Sequence, residues 1–233
     1  MILYKIDQNT EEWEEFRKGK SGGSAFGKLY KTSGTNNGTR DQFFTMLAER
    51  VARPMTPNDY ADRVPAGVTF SWAVRGHILE PEAAKLFEER YKKPLMDGYV
   101  WISDYDYNSY VSPDRAILGD NGQITEAVEI KCLSSEKVLK VWWDRMHLEE
   151  GETDFDAIPG NDYKAQVIKY FLVNEELQKL YWVLYTDLIP NLELQVLEVT
   201  RADVERFLPV AKDVEKRYLD ELKKAEKMLE ENA

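Results

Sequence analysis

The dipeptide Asn121-Gly122 ties down more of this 233-residue chain than any other short stretch. Both central positions of the favoured two-residue hairpin turn need positive φ, which Asn and Gly tolerate. If these two residues form the turn, partners across the hairpin carry numbers that add to 243. Asp114 then stands directly opposite Glu129, with Cβ atoms roughly 4.5–5.5 Å apart on one face. Lys131 projects from the same face as Glu129, while Val128, Ile130 and Cys132 point to the other side and suit a core.

Like charges so placed repel one another unless a cation sits between them. Two hard oxygen donors suit magnesium or manganese, and a nearby ammonium can orient or deprotonate a water. The same residues also fit an ordinary surface hairpin with a Glu/Lys strand pattern, because Glu-x-Lys is a short and frequent string.

Around this hairpin the pattern alternates between helix and strand. Thr39-Arg40-Asp41-Gln42 fits a capping box, and Phe43, Met46, Leu47 and Val51 follow at helical spacing, predicting a helix over about 40–53. A second helix over about 72–91 carries Ile78, Leu79, Ala83, Leu86 and Phe87 inward, with Pro81 as a kink or a new start. Strand-like segments fall at about 99–103, 109–112 and 125–132. A helix over about 163–173 precedes strands at 180–186 and 192–199, and a long amphipathic helix from about 202 to 231 closes the chain. The expected fold class is α/β, a central mixed β-sheet with helices on both sides in a single domain over 1–233.

Composition removes several classes of function. Cys132 is the only cysteine, which excludes an internal disulfide, a thiolate zinc site and an iron–sulfur cluster. No apolar stretch approaches the ~20 residues of a membrane span, and the start lacks the pattern of a secretory signal, so a soluble cytoplasmic protein is expected. A formal charge of −11 argues against coating nucleic acid by bulk attraction. The segment from Arg17 to Arg53 is nevertheless locally cationic, with Arg17, Lys18, Lys20, Lys28, Lys31, Arg40, Arg50 and Arg53 against Asp41 and Glu49. Its small-residue loops, 21–24 and 32–38, are either connectors or places where backbone N–H groups approach an anion.

Ser112-Pro113-Asp114 followed by Glu129-Ile130-Lys131 resembles the PD-(D/E)XK nuclease signature. The surroundings resemble one branch, the phage lambda exonuclease or YqaJ-like viral recombinase family. Trp13-x-x-x-Arg17-x-Gly19 with Ser21 to Ser24, Gly76-His77-Ile78-Leu79-Glu80, and Tyr163 with Ala165-Gln166-Val167 match its other motifs in order. The resemblance implies a restriction-endonuclease-like core and a 5′-to-3′ exonuclease that degrades linear double-stranded DNA from its ends in phage or prophage recombination. It implies Asp114, Glu129 and the Ile130 carbonyl as ligands of Mg2+, with Mn2+ able to substitute, and Glu80 supporting a second ion or its waters. Lys131 would activate water, and Arg17, Ser24, Ser112 and Gln166 would clamp the 5′-phosphate, as a guanidinium with hydroxyl and amide donors can. A ring-like homotrimer and a single-strand annealing protein as partner are further implications.

This sequence departs from the family in two places: the Asp114-to-Glu129 interval is longer than in lambda exonuclease, and Arg115 stands where a glycine usually follows the aspartate. The same core would also serve an endonuclease or a catalytically inactive DNA-binding module, although retention of Glu80, Asp114, Glu129 and Lys131 speaks against the latter. His77 reads as structural or solvent-facing. Trp142 and Trp143 suit either stacking on unpaired bases or core packing. The acidic run from Glu149 to Asp156 reads as a solvated loop, or as a surface that repels DNA or binds a partner.

Overall fold

The computed structural model describes residues 11, 12, 15, 30, 31, 34, 35, 39–106 and 108–231. Trp13, Arg17, Gly19 and Ser21 to Ser24 lie outside them, and so does most of the cationic segment before Thr39. Two short strands, β1 (Tyr30–Lys31) and β2 (Gly34–Thr35), pair with each other. Helix α1 (Thr39–Val51) and the 3-10 turn Pro57–Arg63 lead to α2 (Trp72–Tyr91), which runs unbroken through Pro81.

The main sheet has five strands in the order β3 (Met96–Asp97), β6 (Arg115–Leu118), β7 (Ile124–Lys131), β8 (Lys179–Tyr185) and β9 (Leu194–Thr200). Only the central β7–β8 pair is parallel. A parallel pair cannot be joined by a tight turn. Its crossover here carries α3 (Ser135–Met146), α4 (Asp154–Ala157) and α5 (Gly160–Val173). The result is the expected mixed sheet flanked by helices.

Side chains alternate between two cores. Ala127, Leu180, Trp182, Leu184, Leu197 and Val199 pack towards α3 and α5, whereas Val128, Ile130, Tyr181, Val183 and Val196 pack against Ala83, Ala84 and Phe87 of α2. With both faces covered, β8 is apolar along most of its length and buried from Leu180 to Leu184, as a central strand must be.

Three expectations need correction. The segments at 99–103 and 109–112 shrink to β4 (Trp101–Ile102) and β5 (Tyr110–Val111), which form a separate ribbon outside the main sheet. The C-terminal helix is broken into α6 (Arg201–Val204), a 3-10 turn at Glu205–Phe207 and α7 (Leu208–Glu231). Pro209 is the second residue of α7, where its missing N–H costs nothing because the N–H groups of a first turn have no helical acceptor, so the helix starts anew there. Finally, the β6–β7 hairpin turns through 119–123, where the Gly119–Gln123 pair encloses three residues rather than two. Gly119 N–H donates to Gln123 O, Gly122 N–H donates to Gly119 O, and of Asn121 and Gly122 only the glycine has positive φ, at 76°.

The site survives this last error because a second irregularity cancels it. The longer loop shifts the register by one residue, pairing Leu118 with Ile124, and a bulge at Thr125 restores the expected pairing of Ile117 with Glu126, Ala116 with Ala127 and Arg115 with Val128.

Candidate metal and phosphodiester site

Asp114 ends the loop entering β6 and lies against Glu129 and Ile130 of β7. Its Oδ2 accepts the Ile130 N–H at 2.6 Å. Gly98 fixes the approach: a Cβ there would lie 1.7 Å from the Pro113 carbonyl oxygen, so only glycine lets the end of β3 pass behind Pro113-Asp114.

Glu129 is 4% exposed, and its oxygens are bound from several directions. Lys131 Nζ and Gln166 Nε2 donate to Oε1 at 2.5 and 2.8 Å, and the Tyr170 hydroxyl donates to Oε2. Gln166 and Tyr170 are four apart on α5 and therefore share a face. Tyr170 also reaches the Ser112 carbonyl at 3.3 Å. Burial and the Glu129 charge push the Tyr170 hydroxyl upward, so it serves as a proton donor to the carboxylate.

Burial first, and then the charges of Glu129 and Glu80, push the Asp114 carboxyl up to about 7 against the Ile130 N–H and Lys131. An incoming positive charge would favour its ionised form, and its donor set of two carboxylates beside a backbone carbonyl suits a hard divalent cation. Among the described residues, no three His, Cys, Asp or Glu side chains converge as a ready-made metal cage. Glu80 is turned to Arg115 instead: its Oε1 accepts from Arg115 Nη1 at 3.0 Å. Arg115 Nη1 also donates to the Asp114 carbonyl.

The structure thus gathers Asp114, Glu129, Ile130, Lys131 and Gln166, and brings Glu80 to their edge through Arg115. Ser112 is exposed, and its hydroxyl donates to the Tyr99 carbonyl at 3.1 Å. Arg17 and Ser24 are outside the described residues. His77 is exposed. Trp142 and Trp143 both pack against the core, and Trp143 lies edge-on to Phe43 and Phe44 of α1 with His147 stacked on it. Beyond Lys131, whose Nζ lies 5.7 Å from the Tyr163 ring centre, a cleft of about 410 Å³ opens between Trp72, Cys132 and Tyr163.

Two residues are new to the site. Tyr170 was detectable as the position one turn after Gln166. Arg75, on α2, was not: it is fully buried, donates to the Cys132 carbonyl at 3.3 Å and pairs with Asp187 at 2.6 Å, anchoring the end of β7 just past Lys131.

Among solved structures, the alkaline exonuclease LHK-Exo of Laribacter hongkongensis is similar at 17% identity, with 94% of this chain and 100% of that one covered and a TM-score of 0.49. A second structure of that protein, in complex with dAMP, gives the same values. No curated protein matches the chain. Residues 12–176, well over half of the sequence and spanning the gathered site, match the YqaJ-like viral recombinase domain, and the chain belongs to that family.

Proposed function

We propose that this protein is a magnesium-dependent exonuclease that degrades linear double-stranded DNA from its ends in the 5′-to-3′ direction, in phage or prophage recombination. The observation that carries the reading is the convergence of Asp114, Glu129 and Lys131 at the open end of the β6–β7 hairpin, with the Asp114 carboxyl raised by burial and by the Glu129 and Glu80 charges. Membership of the recombinase family supports the substrate class.

Asp114, Glu129 and the Ile130 carbonyl would hold Mg2+, with Mn2+ able to substitute. Bound there, the ion would supply positive charge to the scissile phosphate and acidify the attacking water. Lys131 is held by Glu129 at 2.5 Å, where its ammonium can orient that water and steady the charge that develops on phosphate oxygen. Gln166 and Tyr170 fix the carboxylate of Glu129, so that its oxygens do not reorganise during the reaction. Arg17, Ser24, Ser112 and Gln166 would clamp the 5′-phosphate and make the enzyme end-directed. The assembly is a homotrimer around duplex, an arrangement that suits a chain too acidic to hold DNA by diffuse attraction and one open to an annealing partner.

The test is incubation with Mg2+ and linear duplex labelled at the 5′ or the 3′ end, beside a closed circular control. Early release of 5′ label with the circle intact is expected, and Lys131→Ala should lower the rate by about 10²–10⁴-fold without unfolding the protein. Cleavage of the circle would replace this reading with an endonuclease, and inert DNA in every lane would replace it with a binding module.

A further inference from the structure

Arg115 bridges Glu80 and the Asp114 carbonyl at the edge of the site. Its backbone opens β6 opposite Val128, so its side chain leaves the sheet on the face covered by α2, which carries Glu80. The guanidinium spans the gap: Nη1 donates to Glu80 Oε1 at 3.0 Å and to the carbonyl of Asp114. Both side chains are about a quarter exposed, at 23% and 27%, so their attraction is only partly screened.

We infer that Arg115 is a built-in cation that takes the place of a second metal ion, so that the site binds one divalent ion per chain. The inference rests on the metal reading of Asp114 and Glu129 above. For Glu80 to ligate an ion, the guanidinium would have to leave its carboxylate. An ion added beside it would put two positive charges next to a third that cannot be shed, because arginine does not deprotonate in proteins. Lysine in the same place could lose its proton to make room; arginine cannot.

The formal charges agree with one ion. Glu80, Asp114 and Glu129 against Lys131 and Arg115 leave one negative charge. A single divalent ion turns this into one positive charge, the complement of one phosphodiester. Two ions would leave three positive charges around a substrate group carrying only one negative charge. Mg2+ is also slow to give up water and prefers a few carboxylates to a crowded cage, so it gains little by displacing a guanidinium already seated.

Counting bound Mn2+ by its electron paramagnetic resonance signal in the DNA-free full-length protein tests this without relying on activity. The wild type should bind one ion per chain. Arg115→Gln, which keeps bulk and a donor but removes the charge, should bind two. Arg115→Gln combined with Glu80→Gln should return to one. Circular dichroism on each variant restricts the comparison to folded protein, and Arg115→Ala provides a second neutral replacement should the glutamine fail to fold. Two ions in the wild type, or one in folded Arg115→Gln and Arg115→Ala alike, would overturn the inference while leaving the metal site standing. No bound ion in any variant would strike down the metal site itself, and the inference with it.

Discussion

Asp114 and Asp187 are both half-buried aspartates at the ends of the sheet, both accept hydrogen bonds, and their carboxyls are displaced in opposite directions. Burial raises both. At Asp187 it is outweighed by hydrogen bonds from Tyr60 and Arg75 and by the Arg75 charge, which hold the carboxyl below its usual range. Asp114 has the Ile130 N–H at 2.6 Å but faces Glu129 and Glu80, and its carboxyl rises to about 7. The first is a finished ion pair that ties α2 and the turn before it to the end of β8; the second is an unfinished one. A structural carboxylate comes with its counter-charge, whereas a binding carboxylate leaves that place to an exchangeable cation.

Removing the partner from the finished pair gives the sharpest contrast. Asp187→Ala would strand Arg75, which is 0% exposed, and should cost about 3–5 kcal/mol. Thermal unfolding should register this as a drop of roughly 10 °C in Tm. An unchanged Tm would mean that Arg75 is adequately served by Tyr60 and the Cys132 carbonyl alone.

Neutralising the unfinished site should do the reverse. A carboxyl whose folded pKa lies above its unfolded value favours folding below the unfolded pKa and loses that advantage as pH rises through the folded one. Metal-free wild type should therefore lose stability between about pH 4 and 7 on account of Asp114. Asp187 runs the other way, since its depressed pKa gives stability that is present above about pH 4 and lost on acidification. Asp114→Asn should be inactive yet melt a few degrees higher than metal-free wild type above pH 7, with the gap closing in acid. A lower Tm for that variant at pH 8 would show that the carboxylate is a structural group after all.

The smallest effect belongs to Arg53, which touches Asp187 from outside at 2.9 Å and Asp59 at 3.0 Å but is 45% exposed. Arg53→Ala should shift stability by no more than about 1 kcal/mol, because a solvated pair is screened and spends side-chain entropy. A larger loss in a urea titration would extend the finished network to the surface.

Much of this was legible where a local rule decides. The span of α2 and the face assignment of Glu129, Lys131, Val128 and Ile130 follow from periodicity, and the structure keeps all of them. The run from 135 to 146 carries buried Val138, Leu139 and Val141 at helical spacing, but Trp142 and Trp143 suited base stacking as well as core packing, and α3 was not assigned. Arg75 could not be read as core, because burial of an arginine depends on partners 57 and 112 residues away. Arg115 was visible as a departure from the family pattern, whereas its contact with Glu80 needed the sheet to be built.

The β6–β7 hairpin also bears on how such a site can change length over generations. Its tip projects past the carboxylates and contributes nothing to them, so residues added or removed there in pairs would leave every side chain on its original face. A single insertion within the paired part of β7 would instead turn Glu129 towards the α2 face, unless a second irregularity such as the Thr125 bulge absorbed it. The distance in sequence between the two acids is therefore free to drift at the tip, while the alternation of faces along each strand is not.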